Sequence, residues 1–231
     1  MRHEEKYICS DRQLAVIESR LKAVMSIDPN QTGADYHIRS LYFDTNSDRL
    51  YHESLSGVDR RSKYRLRFYN LCTDLFRMER KDTIGDLKQK YSAKVDNEAV
   101  GAFIDNEPFP GDSDLLREIR ILQQTEGLHP AAIVDYRRTA FTYPLGNVRI
   151  TLDRDIACTF RTDEFLDKNA LLYPLMPPGR HVLEVKYDSI LPGYIKRVLD
   201  TGRLERVSFS KYAYARSVIE GNGRKEDGYE F

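Results

Sequence analysis

Charged residues recur at every second position along several segments of the chain, separated by apolar or aromatic ones. Arg2, Glu4 and Lys6 open the sequence this way, Lys63, Arg65 and Arg67 repeat it, Arg77, Glu79 and Lys81 follow, and Glu184 and Lys186 close the series. A strand sends residues i, i+2 and i+4 to one face, so each segment predicts a strand with a charged face and an apolar one. The alternation predicts strands over 2–9, 36–44, 63–71, 74–82, 131–143, 147–160 and 180–188, with shorter ones near 49–56 and 86–91. Residues 63–71 and 74–82 read as a hairpin turning near Cys72-Thr73.

Between the strands the period changes from two to about 3.6. Ser10 stands as an N-cap before Leu14, Ile17, Leu21 and Val24, a helix expected to end near Asp28-Pro29. Ser92 precedes the stripe Val95, Ala99 and Phe103. A further helix spans about Asp112 to Thr125, with Gly127 past its end. A short helix is expected near 163–172. Pro192 can open another helix, and Ser210 can cap a last one through about Ile219. Tight turns join neighbouring strands more often than helical crossovers do, which favours an antiparallel sheet. The expected fold is α+β: an antiparallel closed β-barrel of about eight strands with helices packed around the outside. Residues 1–220 read as one domain and 221–231, rich in Gly and charge, as a flexible tail.

Composition narrows the functional classes. The 231 residues carry 36 basic and 36 acidic side chains. A nucleic-acid coat or a binder of acidic membranes shows a basic excess, so a basic site here is local, and no nucleic-acid partner is expected. No segment approaches the roughly 18–20 apolar residues of a membrane span, and the charged N-terminus does not read as a signal peptide. Cys9, Cys72 and Cys158 are odd in number and widely spaced, which reads as reduced thiols in a cytoplasmic protein. There is no Walker A or Rossmann glycine pattern. Asp44, Asp48 and Glu53 resemble a calcium loop only weakly, and Tyr212, Tyr214 and Arg216 read as packing and surface on a helix.

Strand parity turns Arg2, Lys6, Lys63, Arg65, Arg67, Arg77, Lys81, Arg138, Arg149 and Lys186 to one interior, with Glu4, Glu79, Asp153 and Glu184 among them and Lys211 nearby. So many like charges facing one space require a bound polyanion or water. Arg donates in a planar fork to phosphate and Lys acts as a mobile point charge, while interspersed carboxylates suit Mg²⁺ or Mn²⁺.

The motifs resemble those of VTC domains, named for the vacuolar transporter chaperone polyphosphate polymerase, in the triphosphate tunnel metalloenzyme or CYTH-like superfamily. RHEEKY (Arg2 to Tyr7) is similar to the RxExKY opening. SLYFDT (Ser40 to Thr45), YRLRFY (Tyr64 to Tyr69), ERK (Glu79 to Lys81), YRRTAF (Tyr136 to Phe141), VRITLD (Val148 to Asp153), LEVK (Leu183 to Lys186) and FSKY (Phe209 to Tyr212) follow in the expected order. The resemblance implies a tunnel that binds a triphosphate and a divalent metal, and it is closest to stand-alone prokaryotic members. It implies phosphate contacts at Lys6, Arg65, Arg67, Lys81, Arg138, Arg149 and Lys211, polar contacts at Tyr136 and Ser210, and a metal ligand at Glu184. Parity adds Arg2, Arg77 and Lys186 to the phosphate set and Glu4 and Glu79 to the metal set. Where eukaryotic members often carry Lys just before FSK, this chain has Ser208. The expected activity is metal-dependent phosphoryl transfer from ATP or another triphosphate to polyphosphate or orthophosphate. Two alternatives stay open: hydrolysis of a triphosphate, with Glu4 or Glu79 orienting water, and a polyphosphate- or nucleotide-binding module. A membrane-protein partner that takes up the product is a further option.

Overall fold

The computed structural model describes residues 3–85, 87–202 and 204–219; Arg2 and the 221–231 tail lie outside them. In chain order the elements are β1 (His3–Ser10), α1 (Asp11–Val24), β2 (Ser26–Ile27), β3 (Tyr36–Asp44), α2 (Arg49–Ser56), β4 (Arg60–Tyr69), β5 (Cys72–Ile84) and β6 (Leu87–Val95). They continue as α3 (Asn97–Asp105), α4 (Asp114–Glu126), β7 (His129–Tyr143), β8 (Val148–Thr159), a 3-10 helix (Thr162–Leu166), β9 (Tyr173–Pro174), β10 (Arg180–Tyr187), α5 (Gly193–Leu199), β11 (Glu205–Arg206) and α6 (Lys211–Ile219).

The strands form one antiparallel sheet in the order β11-β1-β10-β8-β7-β3-β4-β5-β6, with β2 beside β7 and β9 beside β8. This order has two ends. Among the described residues no pairing joins β11 to β6, so the expected closed barrel of about eight strands is an open sheet of 11. Tight turns and residue parity point to hairpin neighbours such as β4–β5 and β7–β8, whereas closure needs a hydrogen-bonded seam between the first strand and the last. β11 has only two residues to offer such a seam, and β6 is exposed along most of its length.

The chain divides into two compact units. The first draws on residues 1–37, 136–156 and 176–209. In it, β1 pairs with β10 from His3↔Tyr187 to Ser10↔Arg180, and β10 pairs with β8 from Val182↔Asp153 to Lys186↔Arg149. Alternate residues Cys9, Leu183, Val185, Ile150 and Leu152 form the apolar face, covered by Leu14, Ile17 and Leu21 of α1 and by Ile195 and Leu199 of α5. Ser10 and Gln13 close a capping box at the start of α1, a device worth about 1 kcal/mol. The helix stops at Val24, ahead of Asp28-Pro29, because Ser26 and Ile27 pair with Thr142 and Phe141.

The second unit draws on residues 38–135, 157–175 and 210–231. The β4–β5 hairpin turns at Asn70-Leu71, both at positive φ (53° and 50°), which brings the turn slightly ahead of Cys72-Thr73 and matches the twist of the flanking strands. Leu41, Phe43, Leu66, Phe68, Phe76 and Met78 form its apolar face beneath Phe103 of α3 and Leu115, Leu116 and Ile119 of α4. β6 runs on to Val95, so Asp96, and not Ser92, caps α3. Gly127 ends α4 at φ 64°, and a Cβ there would collide with the Asn46 side chain.

Residues 49–56, expected as a strand, form α2. Its first turn is capped from the preceding strand: the Asp44 carboxylate accepts the N–H of Leu50 and of Tyr51, both at 2.9 Å, and Thr45 Oγ1 accepts that of Arg49 at 3.1 Å. The short helix expected near 163–172 is a 3-10 helix over Thr162–Leu166. Among the described residues no helix is long and apolar enough to cross a membrane. Cys9 and Cys158 are buried, which pushes their thiols up to about 12 and about 11, while Cys72 is exposed.

Candidate phosphate-binding faces

In each unit the sheet face opposite the apolar core carries the charge. In the second unit the register sets Arg67 beside Ser40 and Arg77, Arg65 beside Tyr42 and Glu79, and Lys63 beside Lys81. β6 extends the row, with Lys90 beside Lys81 and Lys94 beside Arg77. Glu79 is the one carboxylate among these positions, and its side chain is 1% exposed. It accepts Arg65 Nε at 2.8 Å and Nη2 at 2.7 Å, lies 3.8 Å from Arg67 Nη1, and pairs with Lys90 Nζ. Burial pushes the Glu79 carboxyl up, but Arg65, Arg67 and Lys90 outweigh it and hold the group at about 2. Lys90 is drawn below the usual lysine range by burial and by repulsion from Arg65 and Arg67, against the pull of Glu79.

The forks of the two arginines are braced from β3. Arg65 Nη1 donates to Tyr42 Oη at 3.2 Å and Arg67 Nε to Ser40 Oγ at 2.8 Å. Lys63 Nζ donates at 2.8 Å to Ser210 Oγ, the same oxygen that accepts the Ala213 N–H at 3.3 Å and so caps α6. Lys211 is the first residue of that helix. Strand parity therefore brings Arg65, Arg67, Arg77, Glu79 and Lys81 together, with Ser210 joined to them through Lys63. Lys90 and Lys94 are absent from the expected set: Lys90 lies within the strand expected near 86–91, to which no parity is assigned, and Lys94 lies beyond its expected end. Their signal is the same alternation, continued as Lys88, Lys90, Ser92 and Lys94.

The first unit's charged face is built differently. Glu4 and Lys186 are direct cross-strand partners, as are Lys6 and Glu184. Lys6 Nζ lies 3.5 Å from Glu4 and 3.8 Å from Glu184. Lys186 Nζ lies 3.7 Å from Glu4 and pairs with Glu184. Lys6 also donates to the Phe209 carbonyl at 2.6 Å. On β7, Arg138 grips Asp153 of β8 through two bonds, Nε at 2.6 Å and Nη2 at 2.8 Å, with its guanidinium 5.2 Å from the Tyr136 ring centroid. Burial works against the charge on Arg138, but Asp153 holds it ionised well above the usual range. Arg149 donates twice to Asp28 Oδ2, at 3.0 and 2.8 Å, and to Tyr36 Oη at 3.2 Å. His3 and His181 stand at the opposite parity on β1 and β10, away from this face.

Among the described residues no group of three or more His, Cys, Asp or Glu is placed to hold a metal. Glu4 and Glu184 nonetheless suit a hard divalent ion: both are nearly buried, share one face and are bridged by the same two lysines. Such an ion takes one or two carboxylates and completes its shell with phosphate oxygens and water. Glu79 fits this role poorly, since three cations already engage its carboxylate.

No curated protein matches the chain in sequence. Among solved structures, a candidate adenylate cyclase from Bacillus halodurans is similar, at 13% identity and a TM-score of 0.51, over 99% of this chain and 92% of that one. A candidate adenylate cyclase from Vibrio parahaemolyticus gives 13% identity and a TM-score of 0.49, over 93% and 97% of the two chains. At such identity the first likeness shows a shared fold. Residues 1–219 match the VTC domain family. That match spans both charged faces and every motif from RHEEKY to FSKY, and the chain belongs to the VTC domain family.

Proposed function

We propose that the protein is a metal-dependent phosphoryl transferase that moves the terminal phosphate of a nucleoside triphosphate onto polyphosphate or orthophosphate. The observation that carries this reading is the cationic face of β4, β5 and β6, where many Arg and Lys side chains surround one buried carboxylate. A surface with that surplus of positive charge is at its lowest energy with a polyanion on it.

The chain's own residues act by positioning and electrostatic stabilisation. Arg65 and Arg67 hold phosphate oxygens with forks aimed by Glu79, Tyr42 and Ser40. Lys81, Arg77, Lys211 and Ser210 add donors in the second unit, and Lys6, Lys186, Arg138, Arg149 and Tyr136 add them in the first. Glu4 and Glu184 would hold Mg²⁺ or Mn²⁺, which when bound neutralises phosphate oxygens and orients the terminal phosphate. The acceptor's terminal phosphate oxygen bonds to the γ-phosphorus and the bond to the β-phosphate oxygen breaks, releasing a nucleoside diphosphate. The acceptor is already an anion, so no general base is required. The match over 1–219 supports reading the two units as one functional domain, and three cysteines without a disulfide suit a reducing, cytoplasmic setting.

Incubation with ATP and Mn²⁺ followed by sizing of the products tests the reading. Long polymer is expected. Orthophosphate as the sole product would make the protein a triphosphatase, and tight triphosphate binding without product would make it a binding module.

A further inference from the structure

Asp44, the last residue of β3, is fully buried within the second unit. A buried carboxylate is costly unless its oxygens are satisfied. Here they accept the N–H groups of Thr45 at 2.8 Å and of Leu50 and Tyr51 at 2.9 Å, as well as the hydroxyl of Tyr212. One side chain thus caps α2 and seizes the second residue of α6. Arg216, one helical turn beyond Tyr212, reaches Asp48 at 2.7 Å and rests 5.1 Å from the Tyr51 ring centroid. The Tyr212 ring stacks on Tyr42 with centroids 5.2 Å apart, and Tyr42 is the residue whose hydroxyl receives Arg65. Tyr212 directly follows Lys211 and stands two residues after Ser210, which accepts Lys63.

These contacts do more than anchor a helix. They join the first turn of α6 to the two residues, Tyr42 and Lys63, that border Arg65 on the cationic face. We propose that Asp44 and Tyr212 are positioning residues that hold Ser210 and Lys211 at this face and so set its affinity for the polyanion. The inference rests on the phosphate-binding reading given above. It assigns the acidic residue of SLYFDT and the tyrosine of FSKY one shared task.

The test is a double-mutant cycle read by calorimetric binding of inorganic tripolyphosphate. Tyr212→Phe removes only the hydroxyl and keeps the ring on Tyr42. It is expected to weaken binding about tenfold, roughly 1.4 kcal/mol, comparable with Lys211→Ala. In the double variant the two losses should not add, because Tyr212 acts through Lys211. Unchanged affinity in Tyr212→Phe at a temperature where it is folded, or full additivity with Lys211→Ala, would overturn the inference. A parallel Arg65→Ala variant separates it from the broader reading: if Arg65→Ala and Lys211→Ala both bind like the parent, or the parent does not bind, the phosphate face itself is misassigned and the inference falls with it. Should Tyr212→Phe fail to fold, amide hydrogen exchange on the parent serves instead. Tripolyphosphate should slow exchange in the first turn of α6, and no change there overturns the proposal.

Discussion

In the first unit the described cations of the charged face, Lys6, Lys186, Arg138 and Arg149, each have a nearby acid. Lys6 and Lys186 both lie within 4 Å of Glu4 and Glu184, Arg138 is clamped by Asp153, and Arg149 by Asp28. In the second unit Arg65, Arg67 and Lys90 share Glu79, and Lys63, Arg77, Lys81 and Lys94 stand on the same face. The first face is neutralised from within, and in the function proposed above its carboxylates would hold a divalent ion. Among the described residues the strand register of the second face shows one acid, Glu79, and such a face favours an anion supplied from outside. Two faces built on the same alternation thus differ in electrostatics through the number of carboxylates they carry.

The sharpest way to break this comparison is at Glu184. Glu184→Gln should lower Mn²⁺-dependent turnover of ATP by about 100-fold or more while leaving metal-free tripolyphosphate binding intact. Product assays with Mn²⁺, paired with binding in the presence of a chelator, decide it, and surviving turnover would remove Glu184 from the metal site. Next in size is Glu79→Gln, which leaves Arg65, Arg67 and Lys90 facing one another. A loss of about 3–5 kcal/mol is expected in chemical denaturation, with a larger stabilisation by tripolyphosphate than the parent shows. A loss below about 1 kcal/mol, with a ligand response equal to the parent's, would show the second face to be balanced like the first.

Acid titration measures the same group in the native chain. The Glu79 carboxyl sits at about 2 against an ordinary value of 4.5, so its folded value is depressed. It therefore contributes full stability above the ordinary value and loses it as pH falls toward 2. The contribution is about 3 kcal/mol, so the stability gap between the parent and Glu79→Gln should narrow steadily from about pH 6 to about pH 2. A constant gap would contradict the cationic cage. The smallest effect is expected at Arg149→Lys, which keeps the charge but loses the fork on Asp28. That pair is partly solvated, so about 1 kcal/mol or less should separate variant from parent in thermal denaturation.

Which residues share a face was legible from alternation alone, because the period of two is a local property that hairpin pairing preserves. Arg65 and Arg67 on β4 and Arg77 and Glu79 on β5 are the plain example. What escaped depends on distant partners. Residues 49–56 are helical because Asp44 caps them across the intervening loop, and nothing within 49–56 announces that cap. The contact of Glu79 with Lys90 of β6 and that of Arg149 with Asp28, across 121 positions, likewise join distant strands. Closure of the sheet escaped for the same reason, being a property of its first and last strands together.

The unequal fate of the three thiols has a practical side. Cys9 and Cys158 are buried and resist ionisation, whereas Cys72 stands exposed beside the β4–β5 turn. A maleimide dye added near neutral pH would therefore mark one position on the unaltered chain. That position terminates the hairpin that carries Arg65, Arg67 and Glu79. The protein arrives with a built-in fluorescence reporter for polyanion arrival at its second unit, and no cysteine has to be engineered in or out to use it.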